Sequence, residues 1–321
     1  MYMFKYILKR IGLMLVTFFV IMTMCFVLVK LLPVVDVKVF GQDSKIIEMR
    51  REALGYGKPI MEQYFIFLKS VLIHGNWGVG EQMYTGQEVI EIFKQKLPAT
   101  MLVNVYSMIL SVPVGLAFGI YAALKKNKWQ DHFLSTAVMI FVSVPSYVYA
   151  FLVQYFLCFK LGWFDFIMAP CATLKDYLSW TTFLSLIPAI LSLSFGTIAG
   201  FTRYTRAELT EVLTSDFMLL ARTKGLTKSQ ATVRHALRNA MVPIFPMIIG
   251  QFVGILSGSL IIESIFSIPG VGGLYVNSIN SKDYNFFMLL SAFYTFIGLA
   301  ANIVVDISYG IIDPRIRMGA R

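Results

Sequence analysis

The chain has 321 residues, of which 57% are hydrophobic and only 14% are charged, and its mean hydropathy is +0.69. This composition excludes an ordinary water-soluble domain, because a chain of this size cannot bury so much apolar surface in its own core. Membrane topology explains the net charge of +10 better than nucleic-acid binding does, since the basic residues lie between apolar stretches.

Six apolar stretches are long enough to cross a bilayer as helices. A membrane core about 30 Å thick needs roughly 20 apolar residues per helix, because every backbone N–H and C=O must be bonded within the segment. None of the six contains Asp, Glu, Lys or Arg, and they cover residues 11–29, 99–124, 133–159, 180–202, 240–262 and 286–305. The sequence therefore predicts an all-α membrane protein with six transmembrane helices.

The distribution of Lys and Arg predicts the orientation of these helices. With a cytoplasmic N-terminus, the two short outside loops carry only Lys160, Lys175 and Lys282, and the short inside segments carry most of the other basic residues. Cytoplasmic loops of membrane proteins are enriched in Lys and Arg. We therefore expect both termini in the cytoplasm.

A long external segment follows the first helix. Ile46, Met49 and Ala53 recur there at helical spacing, which predicts a short amphipathic helix. The segment is either a cap that rests on the membrane surface or a docking surface for an external partner. The predicted division is a signal-anchor helix in residues 1–32, an external loop in 33–98 and a five-helix transmembrane domain in 99–321.

Small and polar residues recur inside the predicted spans. Gly115 and Gly119 are four residues apart, a spacing that lets helix backbones approach closely in lipid. Asn104, Gln154 and Gln251 either line a water-accessible path or bond neighbouring helices. The three cysteines and three histidines have no ligand spacing, so no metal site is predicted.

The most informative segment is the predicted cytoplasmic loop 203–240, between the fourth and fifth helices. Asp216 is the expected N-cap of a short helix, and Gly225 follows its end, where a left-handed conformation is needed. Thr227 and Gln230 form the capping-box pattern of a second helix. By physics alone, the loop is either a projecting helix–elbow–helix or a basic amphipathic helix that lies on anionic lipid.

Ordered motifs along essentially the whole chain resemble one transporter family. The run DFMLLARTKGL at 216–226, the run HALRNA at 235–240 and the run IPGVG at 268–272 are similar to those of binding-protein-dependent ABC importer permeases. The likeness is to the oligopeptide and dipeptide branch, which includes nickel and metallophore importers, and within it to the B-type permease subunit. It extends to Asp283-Tyr284, where Asn285 replaces a proline common in the family, and to Asp313-Pro314-Arg315.

This resemblance implies a transport subunit of the bacterial cytoplasmic (inner) membrane that forms half of a path for oligopeptides or dipeptides. It implies four partners: a homologous second permease, two cytoplasmic ATPase subunits and an extracytoplasmic substrate-binding protein. It also implies a coupling helix that contacts an ATPase, with interface residues Phe217, Leu220, Ala221, Arg222, Lys224, Gly225, His235, Arg238 and Asn239. Glu263, Pro269 and Gly270 are expected near an extracytoplasmic gate.

The chain itself is expected to perform no chemistry and to hold no cofactor. No GxxxxGK[ST] phosphate loop occurs in the sequence, so ATP and Mg²⁺ are expected on the partner ATPase subunits. The alternatives are import of nickel or a metallophore by the same machinery and, in a different class, an ion-coupled secondary transporter or channel. An intramembrane enzyme is disfavoured, because HExxH, GxSxG and paired carboxylates within the spans are absent.

Overall fold

The computed structural model describes residues 2–31, 49, 52 and 57–312. Regular structure in this part of the chain is helical, apart from isolated bridges at Val79–Glu88 and Gly80–Thr85. The predicted amphipathic helix around Ile46 and the Asp313-Pro314-Arg315 motif lie outside the described residues. The helices are α1 (Tyr2–Leu31), α2 (Ile60–His74), α3 (Val89–Leu124), α4 (Trp129–Ser143), α5 (Ser146–Val153), α6 (Leu174–Tyr177), α7 (Trp180–Leu213), α8 (Asp216–Thr223), α9 (Lys228–Ala231), α10 (Leu237–Gly254), α11 (Leu260–Ile265), α12 (Val271–Asn280) and α13 (Tyr284–Ile312).

Five helical segments are long and apolar enough to cross a membrane: Tyr6–Leu31, Val89–Leu124, Trp180–Leu213, Lys228–Gly254 and Tyr284–Tyr309. A sixth span is formed only if α4 and the segment Ser146–Lys160 are counted together, because the pair is bent by 102°.

The predicted span 133–159 is therefore two helical segments joined at a bend, and it counts as one span only if the bent pair crosses the membrane together. Pro145 has no N–H to donate, and its ring forces the preceding residue out of the helical conformation, so Val144 is extended (φ −86°, ψ 127°). The predicted span 240–262 is displaced along the chain, because the corresponding helix runs from Lys228 to Gly254. Its helix ends at Gly254, and Gly258 (φ +65°) then separates it from α11.

The chain divides into two compact units. The first unit contains Met1–Pro98 and Gly270–Ala300, and the second contains Ala99–Pro269 and Ala301–Arg321.

In the first unit, buried aromatic and polar contacts hold α2 against α1. Tyr64 of α2 lies on the ring of Phe26, with ring centroids 5.1 Å apart, and its hydroxyl is 2.5 Å from the Thr23 hydroxyl. A second cluster joins the start of α3 to α12 and α13 through Val89, Leu274 and Phe286. Both clusters are built from side chains far apart in sequence.

A buried carboxylate in the first unit fixes the turn before α3. Asp283 is fully buried and accepts the backbone N–H groups of Glu81, Gln82 and Met83 at 2.8, 2.8 and 3.0 Å. Two residues later, the Asn285 side-chain amide donates to the Val79 carbonyl at 2.8 Å. The asparagine that replaces the family proline therefore supplies a donor that proline lacks.

In the second unit, α3 and α7 approach each other at glycine positions. A Cβ on Gly119 would lie 2.5 Å from the Thr205 Cβ and 2.9 Å from the Thr202 carbonyl oxygen, and a Cβ on Gly115 would lie 2.7 Å from the Phe201 Cβ. The Thr202 hydroxyl donates to the Gly115 carbonyl at 3.2 Å. The close approach predicted from the glycine spacing is confirmed at this pair.

An ion pair in the second unit joins the start of α4 to α7. Asp131 is 1% exposed, and the Arg206 guanidinium donates to both of its carboxylate oxygens, with the Nη2–Oδ2 distance at 2.8 Å. The Asn127 backbone N–H donates to the same carboxylate at 2.9 Å. Bidentate geometry and the added donor compensate the carboxylate for its loss of water.

We expect Gly119→Ala to lower the melting temperature of the purified chain in detergent, because the new methyl group would overlap Thr205 and the α7 backbone. Overpacking of this kind costs about 1–3 kcal/mol. The matched control is Gly200→Ala, where no atom lies within 4 Å of the added Cβ. Alanine should leave the control unchanged or slightly more stable, since it favours helix over glycine. Equal melting temperatures for the two variants would contradict the close contact.

Candidate functional site

The loop after α7 forms a helix, an elbow and a second helix, as predicted. The predicted N-cap was wrong by one residue: Asp216 is the first residue of α8, and the extended Ser215 precedes it (φ −78°, ψ 153°). The Ser215 hydroxyl donates back to the Val212 carbonyl at 2.6 Å instead of accepting from α8. Gly225 has φ +88°, so the left-handed elbow is confirmed.

The helix α8 has a buried inner face and an exposed apolar outer face. Met218 and Ala221 are buried in a cluster with Leu209, Ala231 and Ala236. In contrast, Phe217 is 39% exposed and Leu220 is 56% exposed. Exposed apolar side chains on a short helix that packs against the rest of the chain are typical of a surface that contacts another protein or a membrane.

The second helix of the loop begins with the predicted capping box. The Thr227 hydroxyl accepts from the Gln230 N–H at 3.3 Å, and the Gln230 side chain accepts from the Thr227 N–H at 3.1 Å. Helix α9 then continues through a wider π turn at Thr232–Ala236 into α10. Its first turns therefore belong to the same continuous helix, Lys228–Gly254, that is long enough to cross the membrane.

The predicted coupling residues fall into two groups in the structure. Ala221 is buried within this chain. The others are exposed on the loop or at the start of the second helix: Phe217, Leu220, Arg222, Lys224, Gly225, His235, Arg238 and Asn239.

The three polar residues predicted inside the spans have different surroundings. The Asn104 side-chain amide donates to the Thr100 carbonyl at 2.7 Å, and the Gln154 amide donates to the Ile265 carbonyl at 2.7 Å. Gln251 lies on an exposed face of α10. Two of the three amides therefore make backbone hydrogen bonds.

Glu263 lies in a closed polar contact in the second unit. Its side chain is 1% exposed, and the Thr100 hydroxyl donates to its Oε1 at 2.8 Å. A Cβ on Gly258 would lie only 2.6 Å from the same oxygen. Because Gly258 is also left-handed, at φ +65°, glycine suits this position for both space and conformation.

The Ile268-Pro269-Gly270 segment follows a tight turn. The Ile268 N–H donates to the Glu263 carbonyl at 2.8 Å, and Ser267 between them has φ +50°. Pro269 is exposed, whereas Gly270 is buried at the start of α12 in the first unit.

Sequence reasoning missed the structural roles of three side chains. Asp131 pairs with Arg206, Thr100 donates to Glu263, and the Asp283 carboxylate accepts backbone N–H groups. One sequence signal could have identified Asp131. It is an acidic residue just before the apolar stretch 133–159, and the basic residues Arg203 and Arg206 follow the apolar stretch 180–202. Among the described residues, no group of three or more His, Cys, Asp or Glu side chains is arranged to hold a metal ion.

Comparison with known proteins identifies the chain's family. Residues 115–318 match the family described as binding-protein-dependent transport system inner membrane component, and residues 3–104 match the N-terminal family of the same membrane components. The dipeptide transport system permease protein DppB of Lactococcus lactis subsp. cremoris is 36% identical over 98% of this chain and 100% of its own length.

Two further relatives cover nearly the same length. DppB of Bacillus subtilis is 30% identical, and the glutathione transport system permease protein GsiC of Escherichia coli K12 is 29% identical, each over 98% of this chain and 99% of its own length. The chain therefore belongs to the binding-protein-dependent transport system inner membrane components, the multi-pass permease subunits of bacterial ABC importers.

Proposed function

We propose that this chain forms half of the translocation pathway of an ABC importer for short peptides. The observation that carries the proposal is the seated helix α8, with its exposed apolar face and left-handed elbow, in a chain whose relatives include two dipeptide permeases. Glutathione is itself a small peptide, so the relatives named for it fit the same substrate class.

In the proposed arrangement, both termini and residues 203–240 face the cytoplasm. A homologous second permease completes the pathway, and two ATPase subunits bind ATP and Mg²⁺ below it. An extracytoplasmic binding protein delivers the peptide to the outer side, where residues 33–98 form the contact. This chain supplies the path and the mechanical link, and the ATPase subunits supply the chemistry.

Packing of α8 gives the link a physical basis. Met218 and Ala221 attach α8 to the end of α7 through Leu209 and to the continuous helix Lys228–Gly254 through Ala231 and Ala236. A displacement of α8 is therefore passed to both helices, because a packed interface moves as a body instead of deforming continuously.

Exposed residues around α8 provide the proposed contact with the ATPase. In this proposal, Phe217 and Leu220 enter an apolar groove of the ATPase subunit, and Ala221 supports them from the buried side of α8. The polar contacts and the elbow are supplied by Arg222, Lys224, Gly225, His235, Arg238 and Asn239.

The remaining predicted residues belong to the path and its outer end. Asn104, Gln154 and Gln251 are proposed to line the path, and the hydrogen bonds of the first two hold their side chains in fixed positions. Glu263, braced by Thr100, is proposed to set the turn that leads to Pro269 and Gly270 at the extracytoplasmic gate.

Affinity purification of the tagged chain in mild detergent tests the subunit composition. We expect a second permease and ATPase subunits to copurify, with ATP hydrolysis in the eluate. Leu220→Glu should reduce ATPase recovery at least about tenfold, because a charge would enter the centre of an apolar contact. Leu178→Glu is the control, since Leu178 is 73% exposed in an outside loop of the proposed topology. A wild-type chain that purifies alone and moves solute without ATP would contradict the importer.

Cysteine labelling tests the orientation. After replacement of Cys25, Cys158 and Cys171 by alanine, a membrane-impermeant maleimide should label Lys175→Cys in intact spheroplasts. Lys126→Cys should react only after the membrane is permeabilised, because its loop faces the cytoplasm. The reverse pattern would contradict the proposed topology.

The left-handed elbow gives a test of coupling. Gly225 has no atom within 4 Å of an added Cβ, so only its backbone conformation restricts substitution. Valine at φ +88° is strained by roughly 1–2 kcal/mol. Gly225→Val should therefore displace α8 and reduce the peptide transported per ATP hydrolysed in proteoliposomes.

Gly225→Asn is the matched control, because asparagine tolerates the left-handed region. It should retain coupling close to that of the wild type. Equal coupling in the valine and asparagine variants would remove the elbow from the mechanism.

A further inference from the structure

A basic cavity lies beside α8 in the second unit. Its volume is about 550 Å³, and it is bounded by the end of α3, the end of α7, α8 and the start of the next helix. Four of its lining residues are cationic and one is anionic: Lys126, Lys128, Arg222, Lys228 and Asp216. The cavity is therefore strongly biased towards an anion.

The cations of this cavity are not neutralised within the described chain. Among residues 57–312, none of the four forms an ion pair with a carboxylate; the ion pairs described there are Lys58–Glu62, Lys94–Glu91 and Arg206–Asp131. Like charges that share one cavity repel each other, so an anion bound between them would be stabilised by all four. Asp216 is the one carboxylate among the lining residues, so the lining keeps an excess of positive charge.

A polar lining group also lacks a partner. The Thr210 hydroxyl oxygen is buried and has no hydrogen-bond partner among the described residues, and Thr210 lines the same cavity. A buried hydroxyl without a partner costs free energy, because it has lost water and gained nothing. An oxyanion in the cavity would meet the cations, and it would bond this hydroxyl only after the Thr210 side chain rotated towards the cavity.

The position of the cavity narrows the class of anion. Lys126 and Lys128 lie two and four positions after Leu124, where the apolar stretch ends. Leu124, Leu213 and Leu219 line the cavity together with the cations. Basic pockets between transmembrane helices on the cytoplasmic side bind phosphate-bearing lipid headgroups. A lipid phosphate would meet the cations while its glycerol and upper acyl groups lie against the leucines.

We propose that this cavity binds a phosphate group, carried by an anionic phospholipid of the cytoplasmic leaflet or free in the cytoplasm. The inference rests on the proposed orientation of the chain, in which the cavity faces the cytoplasm. A lipid bound there would fill the space between α3, α7 and α8 and brace the inner face of the coupling helix, leaving Phe217 and Leu220 free.

Calorimetric titration of the purified full-length chain in detergent tests the proposal. The titrants are short-chain phosphatidylglycerol, short-chain phosphatidylcholine and inorganic phosphate. The cavity variant is Lys126→Gln/Lys128→Gln/Lys228→Gln, which leaves the proposed ATPase contact Arg222 intact. The matched control, Lys160→Gln/Lys175→Gln/Lys282→Gln, removes the same charge from the outside loops.

We expect the wild type to bind phosphatidylglycerol in preference to phosphatidylcholine, and the cavity variant to bind it at least about tenfold more weakly. The control variant should bind as the wild type does. Tight binding of inorganic phosphate, lost in the cavity variant, would identify a free anion as the source; binding of phosphatidylglycerol alone would identify the lipid.

Equal affinity of the wild type and the cavity variant for every titrant would overturn the proposal, and so would equal weakening in the control. If the cavity variant does not fold, the salt dependence of phosphatidylglycerol binding to the wild type tests the proposal. The wild-type affinity for the phosphate-bearing titrant must fall steeply towards 1 M salt, where the Debye length is about 3 Å. An affinity that does not depend on salt would contradict the proposal. No ATPase subunit is present in this titration, so its failure would leave the copurification and labelling results standing.

Discussion

Backbone hydrogen bonds that lipid cannot provide constrain every membrane segment of this chain. Long helices satisfy the backbone groups internally. Where a helix is interrupted, other backbone hydrogen bonds form in place of the lost ones. At the bend before α5, the Val144 N–H still donates to the Ile140 carbonyl at 3.0 Å, and the Val148 N–H donates to the Pro145 carbonyl at 3.0 Å. In the first turn of α11, the Glu263 N–H donates to the carbonyl of the N-cap residue Ser259 at 2.8 Å. These bonds satisfy part of the backbone at the two interruptions.

Buried carboxylates follow the same rule by three different means. Asp283 is bonded by backbone N–H groups, Asp131 by a guanidinium and Glu263 by a hydroxyl. Asp131 lies in the first turn of α4, Glu263 lies in the short α11 and Asp283 directly precedes α13, so each lies near a junction between helices. An unpaired charge at such a site would cost several kcal/mol or more, which explains why Asp283 and Asp131 each accept several donors.

The helix α8 packs against the chain on one face and is exposed on the other, and both properties suit the proposed mechanical coupling. Its inner side chains pack into the cluster around Leu209, while Phe217 and Leu220 remain available to a partner. The left-handed Gly225 allows the chain to reverse within a few residues, so that the capped helix starting at Lys228 returns towards the membrane. The basic cavity beside α8 places a proposed anion at the same junction.

The sequence by itself determined the helical class, the short helix α8, its glycine elbow and the Thr227–Gln230 capping box, and its ordered motifs indicated the family. These features depend on composition, periodicity and neighbouring residues, and such short-range signals can be interpreted before the fold is known. Only the tertiary structure decided the bend at Val144, and the partners of Asp131, Glu263 and Asp283. Thr100 and Glu263 are 163 positions apart, and Glu81 and Asp283 are 202 apart. Such pairs depend on which helix faces pack together, a property of the whole fold that no local pattern encodes.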